Sequence, residues 1–131
     1  MIATNDLKST ARARLRDAEV LLKAKRFEGA FYLCGYSVEL ALKTRICRAL
    51  KWPGFPETNK EFEGLQSIKT HDFEVLLKFS GVGDRVKTKY AAEWSKVLDW
   101  NPQKRYQSSG QITSQQAIDM VTCAKRLLDA L

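Results

Sequence analysis

Between Phe27 and Leu50 the chain places Ala30, Phe31, Leu33, Cys34, Val38, Leu40, Ala41, Leu42, Ile46, Ala49 and Leu50 around most of a helix's circumference. A helix that is apolar on nearly every side has to be surrounded, either in the middle of a bundle or at an oligomer interface. This stretch therefore points to an all-α fold with other helices packed round it. One polar stripe interrupts it: Glu28, Tyr32, Tyr36 (or Gly35), Glu39 and Lys43. Glu39 and Lys43 stand one turn apart in the favourable order, but such a pair contributes only about 0.2–0.5 kcal/mol when exposed. So small a gain does not account for two charges on an otherwise apolar helix. The pair is either functional or a buried ion pair that sets bundle or dimer register.

The helices around it can be read from spacing. Leu7, Ala11, Leu15, Ala18 and Leu22 draw one apolar stripe over a helix from about Asn5 to Lys25, with Thr4 or Asn5 as cap and Arg12, Arg16, Glu19 and Lys23 on the solvated side. Trp52-Pro53-Gly54-Phe55-Pro56 stops the second helix, because two prolines and a glycine cannot continue it. A polar loop anchored by Phe62, Leu65 and Ile68 follows. Thr70 is expected to cap a short helix carrying Phe73, Leu76 and Leu77, which Gly81 ends. Asp84 then starts a helix with Val86, Tyr90, Trp94 and Val97 in register, and Trp100-Asn101-Pro102 breaks it. After a polar loop over 103–112, Thr113 and Gln116 form a capping box for a last helix with Ile118, Val121, Ala124, Leu128 and Leu131 on one face. No segment alternates with period two, so no strand is expected. Residues 1–131 read as a single domain, an up-and-down four-helix bundle with an additional short helix.

Bulk properties narrow the setting. At 131 residues and 44% hydrophobic content the chain can bury a core without a disulfide or a metal. Cys34 and Cys47 share one apolar helix and Cys123 lies on another, with no CxxC pair and one histidine in the whole chain. They read as reduced, buried thiols, and no zinc ligand set exists. No apolar run approaches a membrane span, and the start lacks the basic and apolar regions of a signal peptide, so a cytoplasmic protein with no membrane association is expected. The net charge of +7 favours encounters with polyanions without specifying one. Residues 1–56 carry 11 Lys and Arg against 5 Asp and Glu, so the basic excess sits mainly in that half.

The familiar catalytic signatures are missing: no Gly-rich phosphate loop, no G-x-S-x-G, no H-E-x-x-H, and no Ser or Cys beside a histidine. A different constellation stands out. Glu39 and Lys43 share the polar stripe, His71 lies in Thr70-His71-Asp72-Phe73, and Arg105-Tyr106 follow Trp100-Asn101-Pro102. The string Gly29-Ala30-Phe31-Tyr32-Leu33-Cys34-Gly35-Tyr36-Ser37-Val38-Glu39-Leu40-Ala41-Leu42-Lys43 resembles the second-helix signature of HEPN domains, small helical-bundle proteins of prokaryotes with relatives in higher eukaryotes. Thr70-His71-Asp72 followed by Leu76-Leu77, and then Arg105-Tyr106, resemble the family's later landmarks, in order. The likeness covers roughly residues 8–130.

The resemblance implies a homodimer, often encoded beside a small nucleotidyltransferase as a toxin–antitoxin pair. Many HEPN members are metal-independent ribonucleases with an R-x(4–6)-H motif. Here Gly64, Leu65, Gln66 and Ser67 stand four to seven residues before His71, without an arginine, and no histidine follows Arg105. The leading expectation is thus a non-catalytic partner or nucleotide- or anion-binding component, with Glu39, Lys43, His71, Arg105 and Tyr106 as candidate ligand-binding residues and no metal or cofactor. Glu39 would orient Lys43 and Arg105 toward phosphate oxygens, with His71 as a donor beside them. The alternatives are a divergent ribonuclease acting on RNA and a purely structural helical interaction module. In the structural readings Trp94, Trp100 and Tyr106 are core or interface aromatics, and His71 caps or packs.

Overall fold

A computed structural model describes residues 1–101 and 111–131 of the chain. Helix α1 (Thr4–Lys23) buries Leu7, Ala11, Leu15 and Ala18, the stripe expected from their spacing. It begins one residue earlier than expected, from Ala3, which supplies no side-chain cap; the Thr4 hydroxyl donates instead to Trp52 O. Its end is a tight left-handed turn at Lys25, with Lys25 N donating to Leu22 O and Arg26 N to Leu21 O. That turn satisfies the last carbonyls and reverses the chain directly into α2 (Phe27–Leu50). Helix α2 packs against α1, against α3 (Phe73–Ser80) and against α6 (Ser114–Ala130). Most of its apolar circumference is therefore covered within one chain, while Ala49 and Leu50 in the last turn stay exposed.

The all-α class is what is observed, with three long helices, α1, α2 and α6, where the spacing placed them. Other features differ from expectation. The helix expected from Asp84 is two: α4 (Gly83–Lys89) and α5 (Ala91–Val97), divided at Tyr90, whose φ of −126° and ψ of 31° leave the helical region. The cap of α3 is Asp72, which accepts from Glu74 N and Val75 N, while Thr70 Oγ1 accepts from Asp72 N and shapes the turn before it. Two strands, β1 (Ile2–Ala3) and β2 (Gly54–Phe55), pair antiparallel with Ile2 opposite Phe55. A Cβ on Gly54 would come within 2.5 Å of Ile2 O, so only glycine lets that ladder close.

On α6 the Thr113–Gln116 capping box forms as expected. The buried face, however, is Ala117, Met120, Val121, Ala124, Leu127 and Leu128, and Ile118 turns outward at 43% exposure. Arg12 is likewise not simply solvated. Its Nη1 donates to Asp129 Oδ1 at 2.8 Å and its Nη2 to Leu128 O at 3.0 Å, tying α1 to the last turn of α6. Cys34 and Cys47 are buried and Cys123 is partly so, all as free thiols. Burial pushes the Cys34 thiol up to about 12, so it remains protonated and unreactive at neutral pH.

Aromatic rings fill the space between α2 and the short helices. Trp100 stacks on Phe73 with ring centroids 5.1 Å apart, meets Tyr36 edge-on at 5.5 Å, and donates its indole N–H to Tyr32 O. Its indole lies directly against Gly35, where an added Cβ would stand 2.0 Å from the ring. In an unhindered helix Gly→Ala stabilises by up to about 1 kcal/mol. Here the expected sign is reversed: Gly35→Ala should lower stability by about 1–3 kcal/mol, the scale for overpacking a filled core, as read by urea unfolding.

Candidate functional site

Glu39 sits in the middle of α2, on the side that faces the start of α3, and retains 2% of its exposure. A carboxylate so removed from water is costly unless its oxygens are answered. Both are. Lys43, one turn further along α2, donates from Nζ to Oε2 at 3.1 Å, and His71 Nδ1 lies 2.6 Å from Oε1. His71 reaches Glu39 because Thr70 and Asp72 fold the chain into a turn immediately before α3, directing the ring back onto α2.

A carboxylate oxygen accepts, so the Nδ1···Oε1 contact is a hydrogen bond in the tautomer that carries its proton on Nδ1. Nε2 is then the ring nitrogen left over, on a side chain that is 56% exposed. Lys43 is more enclosed, with 16% of its side chain exposed and its ammonium 5.1 Å from the centroid of Phe55. Its ammonium thus meets a carboxylate and an aromatic face. The cluster thus combines a buried acid, a nearly buried cation and an exposed imidazole whose orientation the acid controls.

Of the residues singled out from sequence, Glu39, Lys43 and His71 converge. Arg105 and Tyr106 lie outside the described residues. Trp94 and Trp100 are core residues, buried on α5 and just beyond it. Phe55 was not foreseen as part of the site. Its signal was present in Trp52-Pro53-Gly54-Phe55-Pro56, where a large ring sits in a turn that otherwise only breaks a helix. Among the described residues no group of three or more His, Cys, Asp and Glu side chains could hold a metal ion, and no helix is long and apolar enough to cross a membrane. Compared with family models, with curated proteins and with solved structures, the chain matches none of them.

If the two contacts to Glu39 hold its charge in the core, removing that charge should weaken both. Glu39→Gln should cost about 1–3 kcal/mol in a urea titration, the scale for disturbing a buried charged hydrogen bond. Substitution of a solvated glutamate would stay within about 0.5 kcal/mol of wild type. A difference that small would show that Lys43 and His71 do not depend on this carboxylate.

Proposed function

We propose that the chain is a HEPN-type helical domain that binds a nucleotide-like anion at the Glu39–Lys43–His71 cluster and works as a homodimeric, non-catalytic partner of a nucleotidyltransferase in a toxin–antitoxin-type pair. One observation carries the reading: residues from two separate sequence landmarks, far apart in the chain, meet through hydrogen bonds of 2.6 and 3.1 Å on one buried carboxylate. Those landmarks are the ones on which the likeness to HEPN domains rests. Glu39 orients the donors, and Lys43 and the exposed edge of His71 face the anion. Arg105 and Tyr106 complete the ligand set in this proposal.

His71 is the only histidine, so its ring nitrogens give an unambiguous magnetic resonance signal. Adenosine triphosphate titrated into nitrogen-15-labelled protein should shift the Nε2 resonance saturably, and Lys43→Gln should weaken that response by about tenfold, the scale of one lost charged contact. An unresponsive imidazole at saturating nucleotide overturns the ligand assignment.

The homodimer rests on the family likeness, since most of the apolar circumference of α2 is already occupied by α1, α3 and α6. Sedimentation equilibrium at micromolar protein should give twice the chain mass, with an interface above about 1,000 Å². A clean monomer removes this part of the proposal.

A second reading, a divergent ribonuclease acting on RNA, is favoured by one detail. A carboxylate on Nδ1 leaves Nε2 as the exposed nitrogen, the arrangement in which an imidazole serves as a general base. Cleavage of single-stranded RNA that His71→Ala abolishes would establish that reading over the first.

A further inference from the structure

Away from the Glu39 cluster, the last turns of α2 and α6 and the first turns of α1 enclose a cavity of about 200 Å³. Four of its lining side chains are cations, Lys8 and Arg12 from α1 and Arg45 and Arg48 from α2, and one, Asp129 of α6, is an acid. Ala11, Ala41 and Leu128 supply apolar wall between them. Ala41, Arg45 and Arg48 recur at helical spacing and so share a face of α2, while Lys8 and Arg12 stand one turn apart on α1. Like charges at these spacings repel, on each helix and across the gap.

Two of the nearby arginines are accounted for by the fold. Arg12 holds Asp129 and Leu128 O, and Arg85 of α4 donates to Ala130 O, so both fasten the C-terminal turn of α6. Arg48 lies in the last turn of α2, where a cation is favoured by the helix dipole. Arg45 has no such explanation. Its Nε is shielded from solvent and lacks a hydrogen-bond partner, and among the described residues no carboxylate, Asp129 included, forms an ion pair with Lys8, Arg45 or Arg48. Arg14 Nε, also shielded, differs in having Asp17 Oδ2 at 3.1 Å. Desolvation, with Arg48 and Arg85 adding to it, holds the Arg45 guanidinium below its ordinary range. A buried donor with no acceptor and a cluster of four cations in which Asp129 answers only Arg12 are both relieved by the same thing, a bound anion.

The size of the cavity limits which anion. Pockets for drug-sized ligands run from about 300 to 1,000 Å³, so this one takes a single small group rather than a whole nucleotide. Guanidinium forks match the oxygens of a tetrahedral oxyanion two at a time. We propose that the cavity between Lys8, Arg12, Arg45 and Arg48 is a binding site for phosphate, either the free ion or the phosphate end of a monoester, with Arg45 as its innermost ligand. This site shares no residue with the Glu39–Lys43–His71 cluster and does not depend on the function proposed for it.

Isothermal titration of the full chain with inorganic phosphate, at ionic strength held constant with chloride, tests the assignment. Glycerol 3-phosphate, a monoester without a base, forms a second arm. Saturable one-to-one binding is expected, weakened by about tenfold or more in Arg45→Gln and in Arg48→Gln, as loss of a charged bidentate contact requires. Binding should be unchanged in Lys60→Gln, which removes an exposed charge outside the cavity. Equal affinity for both anions identifies the free ion as sufficient; tighter binding of the monoester, still lost in Arg45→Gln, identifies the ester. If Arg45→Gln does not fold, the exposed Arg48 decides. Heats no larger than those of chloride, or a loss in Lys60→Gln equal to that in the arginine variants, would reduce the cluster to diffuse charge and overturn the site.

Discussion

A carboxylate held out of water in the centre of the central helix constrains everything near it. Both oxygens of Glu39 are answered there, by Lys43 and by His71, and each of these is itself fixed by something else. Lys43 leans on the Phe55 ring, and Phe55 is placed by a strand pair with Ile2. His71 is aimed by the turn that Thr70 and Asp72 build before α3. The acid on α2 thereby joins three regions distant in sequence, and replacing it by an apolar residue of similar shape would leave Lys43 enclosed without a counter-charge.

The same side of α2 also determines how the short helices sit. Gly35, one turn before Glu39, leaves backbone bare for the Trp100 indole, which in turn stacks on Phe73, the first residue of α3. Aromatic packing and the Glu39–His71 bond thus act on neighbouring residues of a single turn, 71 and 73, and hold the start of α3 from two directions. That arrangement suits a site whose exposed member, the imidazole, belongs to the loop end of an element and not to a long helix.

Much of this was legible in the sequence, for reasons that differ by element. Long helices announce themselves through repeated spacing, and α1, α2 and α6 did. Glu39 and Lys43 were conspicuous because charge interrupts an apolar surface, and His71 because it is the only histidine, next to capping residues. The break at Tyr90 was not legible: Val86, Tyr90, Trp94 and Val97 continue helical spacing through it, and backbone geometry alone divides α4 from α5. Strands of two residues are too short to alternate, so β1 and β2 left no pattern. Ile118 was misplaced because hydrophobicity drew it inward, while the small Ala117 beside it is the residue that is buried. The basic cavity is formed by residues that each look like an ordinary solvated charge; only the crossing of helix ends brings them together.

The pairing of Ile2 with Phe55 has a consequence for Lys43. Residues 2 and 55 bracket the entire α1–α2 hairpin, so their ladder closes a long loop, whereas the turn at Lys25 closes a short one. Because the ring over Lys43 belongs to that ladder, the surroundings of the lysine depend on both ends of the hairpin and not on the helix that carries it alone.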